Sequence, residues 1–158
     1  VVQKEIETRN NELSEDRKMR FGEVASGRWE DALPFMEKAL EFRQLADEYG
    51  VQIHTHIFGD TIDWAVENLG RETVEKVLGP DVVIAHGNGL KQSEVEVIAK
   101  NKATVASAPS TGENLWYGYA PLIELIEAGA NCTITTDGSA PRFSFDLFKD
   151  ISRAMWHQ

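Results

Sequence analysis

Val51-Gln52-Ile53-His54-Thr55-His56 decides the fold, together with the segment that repeats its texture, Asp81-Val82-Val83-Ile84-Ala85-His86. Each is short and rich in β-branched residues, follows a glycine-bearing break (Gly50; Gly79-Pro80), and ends in histidine. Such runs read as strands covered on both faces. Between them, Asp60 to Leu69 places Ile62, Trp64, Ala65, Val66 and Leu69 at helical spacing, and Gly70 closes it. Arg71 to Leu78 is a second helical stretch.

The pattern extends outward in both directions. Upstream, Asp31 can cap a helix carrying Leu33, Phe35, Met36, Ala39, Leu40, Phe42, Leu45 and Ala46, with Gly50 as the stop. Downstream, Ser93 to Asn101 reads as a helix and Ala103 to Ala108 as a strand stopped by Pro109. Pro121 opens a further helix that Gly129 closes. Asn131 to Asp137 is a fourth strand, and Phe145 to Trp156 a last amphipathic helix. Four strands alternating with helices argue for an α/β fold. Phe21 to Arg28 reads as a short strand or loop, and residues 1–20 as a charged helix or arm. The expected division is a charged N-terminal segment over 1–30 and an α/β unit over 31–158.

Composition bounds the function. The 158 residues hold 16 Lys and Arg against 26 Asp and Glu, a net charge of −10. That balance disfavours nucleic acid and anionic membrane as partners. The single Cys132 excludes an internal disulfide framework and a cysteine-rich zinc finger, and reads as a small buried hydrophobe. No apolar run approaches the roughly 18–20 residues of a membrane span. A soluble, cytoplasmic chain acting on a small molecule is expected.

Three strands end in a residue able to bind a metal: His56, His86 and Asp137. The C-terminal ends of parallel strands face the active site in α/β folds. Imidazole and carboxylate suit zinc, which lowers the pKa of its water to about 7. An Asp beside that water can accept a proton, and a His can steady developing charge.

Ile84-Ala85-His86-Gly87-Asn88-Gly89-Leu90 resembles the sixth barrel strand of the amidohydrolase superfamily, in the branch of cytosine, guanine and S-adenosylhomocysteine deaminases and triazine chlorohydrolases. Ala106 to Ser110, followed by Gly118 to Gly129, resembles its seventh strand and helix, and Thr135-Thr136-Asp137-Gly138 its eighth strand. Val51 to His56 then matches the fifth. The resemblance implies a TIM-type (β/α)8 barrel of which strands five to eight are present. It implies His56 and Asp137 as metal ligands for Zn2+, or Fe2+ as in some relatives, with Asp137 also catalytic as the general base; catalytic His86 is implied as a second-metal ligand in two-metal members and as a contact to the nucleophilic water in one-metal members. The implied reaction is hydrolysis of a C–N or C–halogen bond at an amide, amidine or heteroaromatic carbon.

Two departures accompany the resemblance. The deaminases carry a Glu three residues after the fifth-strand His, where this chain has Gly59 followed by Asp60. His56-Ile57-Phe58-Gly59-Asp60 is closer to amide hydrolases that include N-substituted formamide deformylase. Asp60 either replaces the missing acid or caps the next helix, the cap being favoured. The first-strand His-x-His is also absent, so the chain is expected to be about the C-terminal half of a barrel, holding zinc weakly. Its open edges call for a homo-oligomer or a complementary half-barrel chain. The rival reading is a catalytically silent fragment that serves only as a binding or assembly module. His54 is expected to be a buried, hydrogen-bonded residue one layer below His56. Ile53, Val83, Val105 and Ile134 or their neighbours are expected on the inner face. Trp64, Trp116, Tyr117, Phe143, Phe145 and Trp156 are expected mainly in the core, with a substrate mouth as the other option.

Overall fold

The computed structural model describes residues 21–22, 38–138 and 145–158. The order of elements is β1 (Phe21–Gly22), α1 (Ala39–Tyr49), β2 (Ile53–Ile57), α2 (Thr61–Leu69), α3 (Arg71–Val77), β3 (Val82–His86), α4 (Gln92–Asn101), β4 (Thr104–Ser107), α5 (Pro109–Asn114), α6 (Leu122–Glu127), β5 (Asn131–Ile134) and α7 (Leu147–Trp156). The charged segment 1–20 and the Asp31 cap lie outside the described residues. Phe21–Gly22 supplies the short strand expected near there.

All four strand pairings are parallel, and the sheet order is β1-β2-β3-β4-β5. Sequential parallel strands with right-handed crossovers put every crossover helix on one face. A doubly wound sheet would reverse its order, and this one does not. Burial follows from that arrangement. Ile53, Ile57, Val82, Ile84 and Val105 lie under the helices, packed with Ile62, Ala65, Val74, Val77, Val95, Ile98 and Leu125.

The alternate residues form the other face. One row across it is His56–Ala85–Ala106–Thr133, and the next is His54–Val83–Thr104–Asn131. These residues are half-buried or exposed. The expected inner face is therefore corrected: Ile53 and Val105 belong to the helix-covered core, while Val83 lies on the open face with the histidines. The alanines beside His56 leave space above the sheet.

Two further differences concern helices. Pro109 does not merely stop β4; it sits in the first turn of α5, where its missing N–H costs nothing. α5 is then held by α7: buried Asp150 accepts the Ser110 N–H (3.0 Å), and Arg153 donates to the Ser110 hydroxyl (3.0 Å) and pairs with Glu113. These contacts lie about forty residues apart in the chain, beyond the reach of local periodicity. Among the described residues, no helix is long and apolar enough to cross a membrane.

Candidate active site

His56 and His86 meet at the C-terminal end of the sheet. Their ring centroids are 4.9 Å apart. By strict alternation His86 would join Ile84 on the helix side. Its φ of 69° is left-handed, which ends β3 there, and its ring lines the open-face cavity instead. Asp137, three residues past the end of β5, is also left-handed, with φ 56°. Its Oδ1 accepts the Gly138 N–H (2.6 Å), and its Oδ2 lies 3.7 Å from His86 Nε2. Such φ values are costly for residues other than glycine and concentrate at functional sites. The loop after β3 is pinned on both sides: the Gly59 N–H donates to the Asn88 carbonyl (2.8 Å), and the Gly89 N–H to the Tyr119 carbonyl (3.0 Å).

His54, His56, Val83, Ala85, His86, Ala106, Ala108, Thr135 and Asp137 line one cavity of about 200 Å³. Burial lowers the His56 pKa to about 4, with the neighbouring His86 and His54 adding to the fall and Asp137 opposing it. Burial also lowers that of His86, again against Asp137. Both rings are therefore neutral at neutral pH, the form in which imidazole binds a metal. The Nδ1 atoms of His56 and His86 are buried and accept no hydrogen bond from the described residues. Two neutral imidazoles and a carboxylate on one cavity fit zinc in donor type. Among the described residues, however, no three His, Cys, Asp or Glu side chains come close enough together to enclose an ion.

Other expected residues fall elsewhere. His54 is exposed on the cavity wall, not buried, because the open face leaves its row uncovered. Asp60 holds the N-cap position of α2, but its side chain caps nothing and instead pairs with Lys91 on the surface. It does not line the cavity, so neither role expected of it is seen. The cap comes from Glu94 of α4, whose carboxylate accepts the N–H groups of Asp60, Ile62 and Asp63. Trp116 (93% exposed), Phe145 and Trp156 are solvent-facing and not core. Trp64 packs against the core as expected, and Cys132 is half-buried against both apolar clusters. Phe143 lies outside the described residues. Phe58 was not singled out by its sequence, since a lone apolar residue after a strand carries no signal, yet its ring faces both histidines.

The sequence profile of the amidohydrolase family matches residues 12–158. A 5'-deoxyadenosine deaminase of Methanopyrus kandleri is 35% identical over 121 residues, covering 72% of this chain and 28% of that protein. A 5-methylthioadenosine/S-adenosylhomocysteine deaminase of Thermococcus kodakarensis is 33% identical over the same shares. The chain thus spans under a third of the length of these relatives. In solved structures, a zinc-bound adenosine deaminase from Xanthomonas campestris superposes with a TM-score of 0.70 at 20% identity, over 91% of this chain and 34% of its own. A triazine hydrolase from Arthrobacter aurescens superposes at 0.75 and 22% identity, over 99% of this chain and 36% of its own. At these identities the likeness is one of fold.

Proposed function

The chain belongs to the amidohydrolase family, and from that premise we propose that it carries the hydrolytic half of a metal-dependent active site cleaving a C–N or C–halogen bond at an sp² carbon. On this reading β2 to β5 correspond to barrel strands five to eight. The observation that carries the proposal is the meeting of His56, His86 and Asp137 on one cavity at the C-terminal end of a parallel sheet. His56, His86 and Asp137 would hold zinc, and that ion when bound supplies a Lewis acid for the electrophile and a more acidic water. Asp137, open to the cavity beside His86, accepts the proton of the attacking water and returns it to the leaving group where that group is an amine. Neutral His86 has one ring nitrogen on the Asp137 side, Nε2, which would serve either the ion or the attacking water.

Gly59 bears on the substrate. A Cβ added there would lie 1.9 Å from the Gly89 carbonyl oxygen, so this backbone admits no side chain. The position that holds Glu in the deaminases thus offers no proton to a ring nitrogen. This favours an amide-like substrate, whose departing amine takes its proton from Asp137, or a halide, which leaves as the anion and needs none. The deaminases named above act, by their names, on nucleosides. A second reading, a catalytically silent binding module, is favoured by the lack of three side chains closed around a point among the described residues.

Zinc titration of the purified chain separates the two. One zinc per chain is expected, bound at least about tenfold more weakly by His56→Ala and by His86→Ala. No uptake, or uptake that both variants leave unchanged, would support the silent module.

A further inference from the structure

We propose that Phe58 is a positioning residue that sets the ring planes of His56 and His86, an inference that rests on the reading of these histidines as metal ligands. Phe58 is buried. Its ring lies 5.7 Å from that of His86 at an interplanar angle of 14°, and 6.2 Å from that of His56 at 20°. Tyr117 meets it edge-on at 6.0 Å and 71°. Offset-stacked and edge-on aromatic pairs are favourable over this range of separations.

A histidine that binds a metal is usually oriented by a hydrogen bond from its second ring nitrogen to a carboxylate or carbonyl. Neither Nδ1 here has such a partner among the described residues. The 3.7 Å between His86 Nε2 and Asp137 is also too long for one. Ring packing is the orienting contact that remains among the described residues: the two imidazoles meet each other, and Phe58 packs near both and against Tyr117. Its own position is fixed by the backbone. The next residue, Gly59, donates its N–H to Asn88 and lies against Gly89. The loops after β2 and β3 are therefore tied together, with the Phe58 ring beside the pair of histidines.

The test compares Phe58→Leu, which keeps apolar bulk without a ring, with Phe58→Tyr, which keeps the ring. Two readouts are taken on the full chain: the imidazole C–H signals of His56 and His86 by NMR without metal, and the affinity for zinc. Phe58→Leu is expected to shift both imidazole signals and to weaken zinc binding about tenfold or more, while Phe58→Tyr stays within about threefold of the parent. Unmoved signals in a folded Phe58→Leu chain would overturn the proposal, as would equal losses in both variants. If Phe58→Leu does not fold, nuclear Overhauser contacts between the Phe58 ring and both imidazoles in the parent chain decide, and their absence overturns it. A parent chain that takes up no zinc, but whose signals shift in Phe58→Leu, would keep the ring contact and remove the metal reading instead.

Discussion

Glu94→Ala is expected to destabilise the fold by about 4 kcal/mol, read as a lower urea midpoint. Glu94 is 0% exposed. One carboxylate oxygen accepts the N–H groups of Ile62 (2.8 Å) and Asp63 (3.3 Å), and the other those of Asp60 and Lys91 (3.0 Å each). The last is half of a capping box on its own helix α4; the other three cap α2. A single carboxylate thus closes two helix starts, each with unpaired N–H groups and a positive dipole end. Burial raises the Glu94 pKa, while its four backbone N–H partners favour the charged form and oppose that shift. Removing the carboxylate orphans all four, at about 1–3 kcal/mol for each that water cannot reach. Glu94→Gln keeps one acceptor oxygen and should lose roughly half as much. A loss under about 1 kcal/mol for Glu94→Ala would show that α2 is held by its apolar face alone.

Asp137→Asn is expected to lower kcat of the zinc-loaded protein on an amide-like substrate by about 10²–10⁴-fold, the usual contribution of a positioned general base. The amide keeps the size and the Gly138 contact of the carboxylate but cannot take up a proton. Because Asp137 is also proposed as a zinc ligand, the comparison is made at saturating zinc, and KM should then change far less than kcat. A variant within about threefold of the parent in kcat would remove Asp137 from the proton transfer.

The strands, most of the helices and the placing of His56, His86 and Asp137 at one end of the sheet were legible because each rests on local period and local chemistry. Val82 to His86 alternates around a buried Ile84, and His56 and His86 each fall within the last two residues of a strand. What was not legible depends on groups distant in sequence. The sequence favours Asp60, the nearest acid, as the cap of α2, whereas Glu94 reaches it from α4. Asp60 is drawn off by Lys91, whose position depends on how α4 packs. His54 was expected to be buried, and its exposure follows from a face that the described residues leave open. The turn of His86 into the cavity rests on one left-handed backbone angle, which glycine would have announced and histidine does not. The exposure of Trp116 and Trp156 likewise depends on neighbours that periodicity does not reveal.

The central claim is that His56 and His86 belong to one metal site together with Asp137. X-ray absorption at the zinc edge of the zinc-loaded chain tests it most directly. The account predicts two histidine nitrogens at about 2.0–2.1 Å and a carboxylate oxygen at about 2.0–2.2 Å, with one nitrogen lost in His56→Ala and one in His86→Ala. A spectrum of oxygen ligands alone, or one that neither substitution alters, would contradict it.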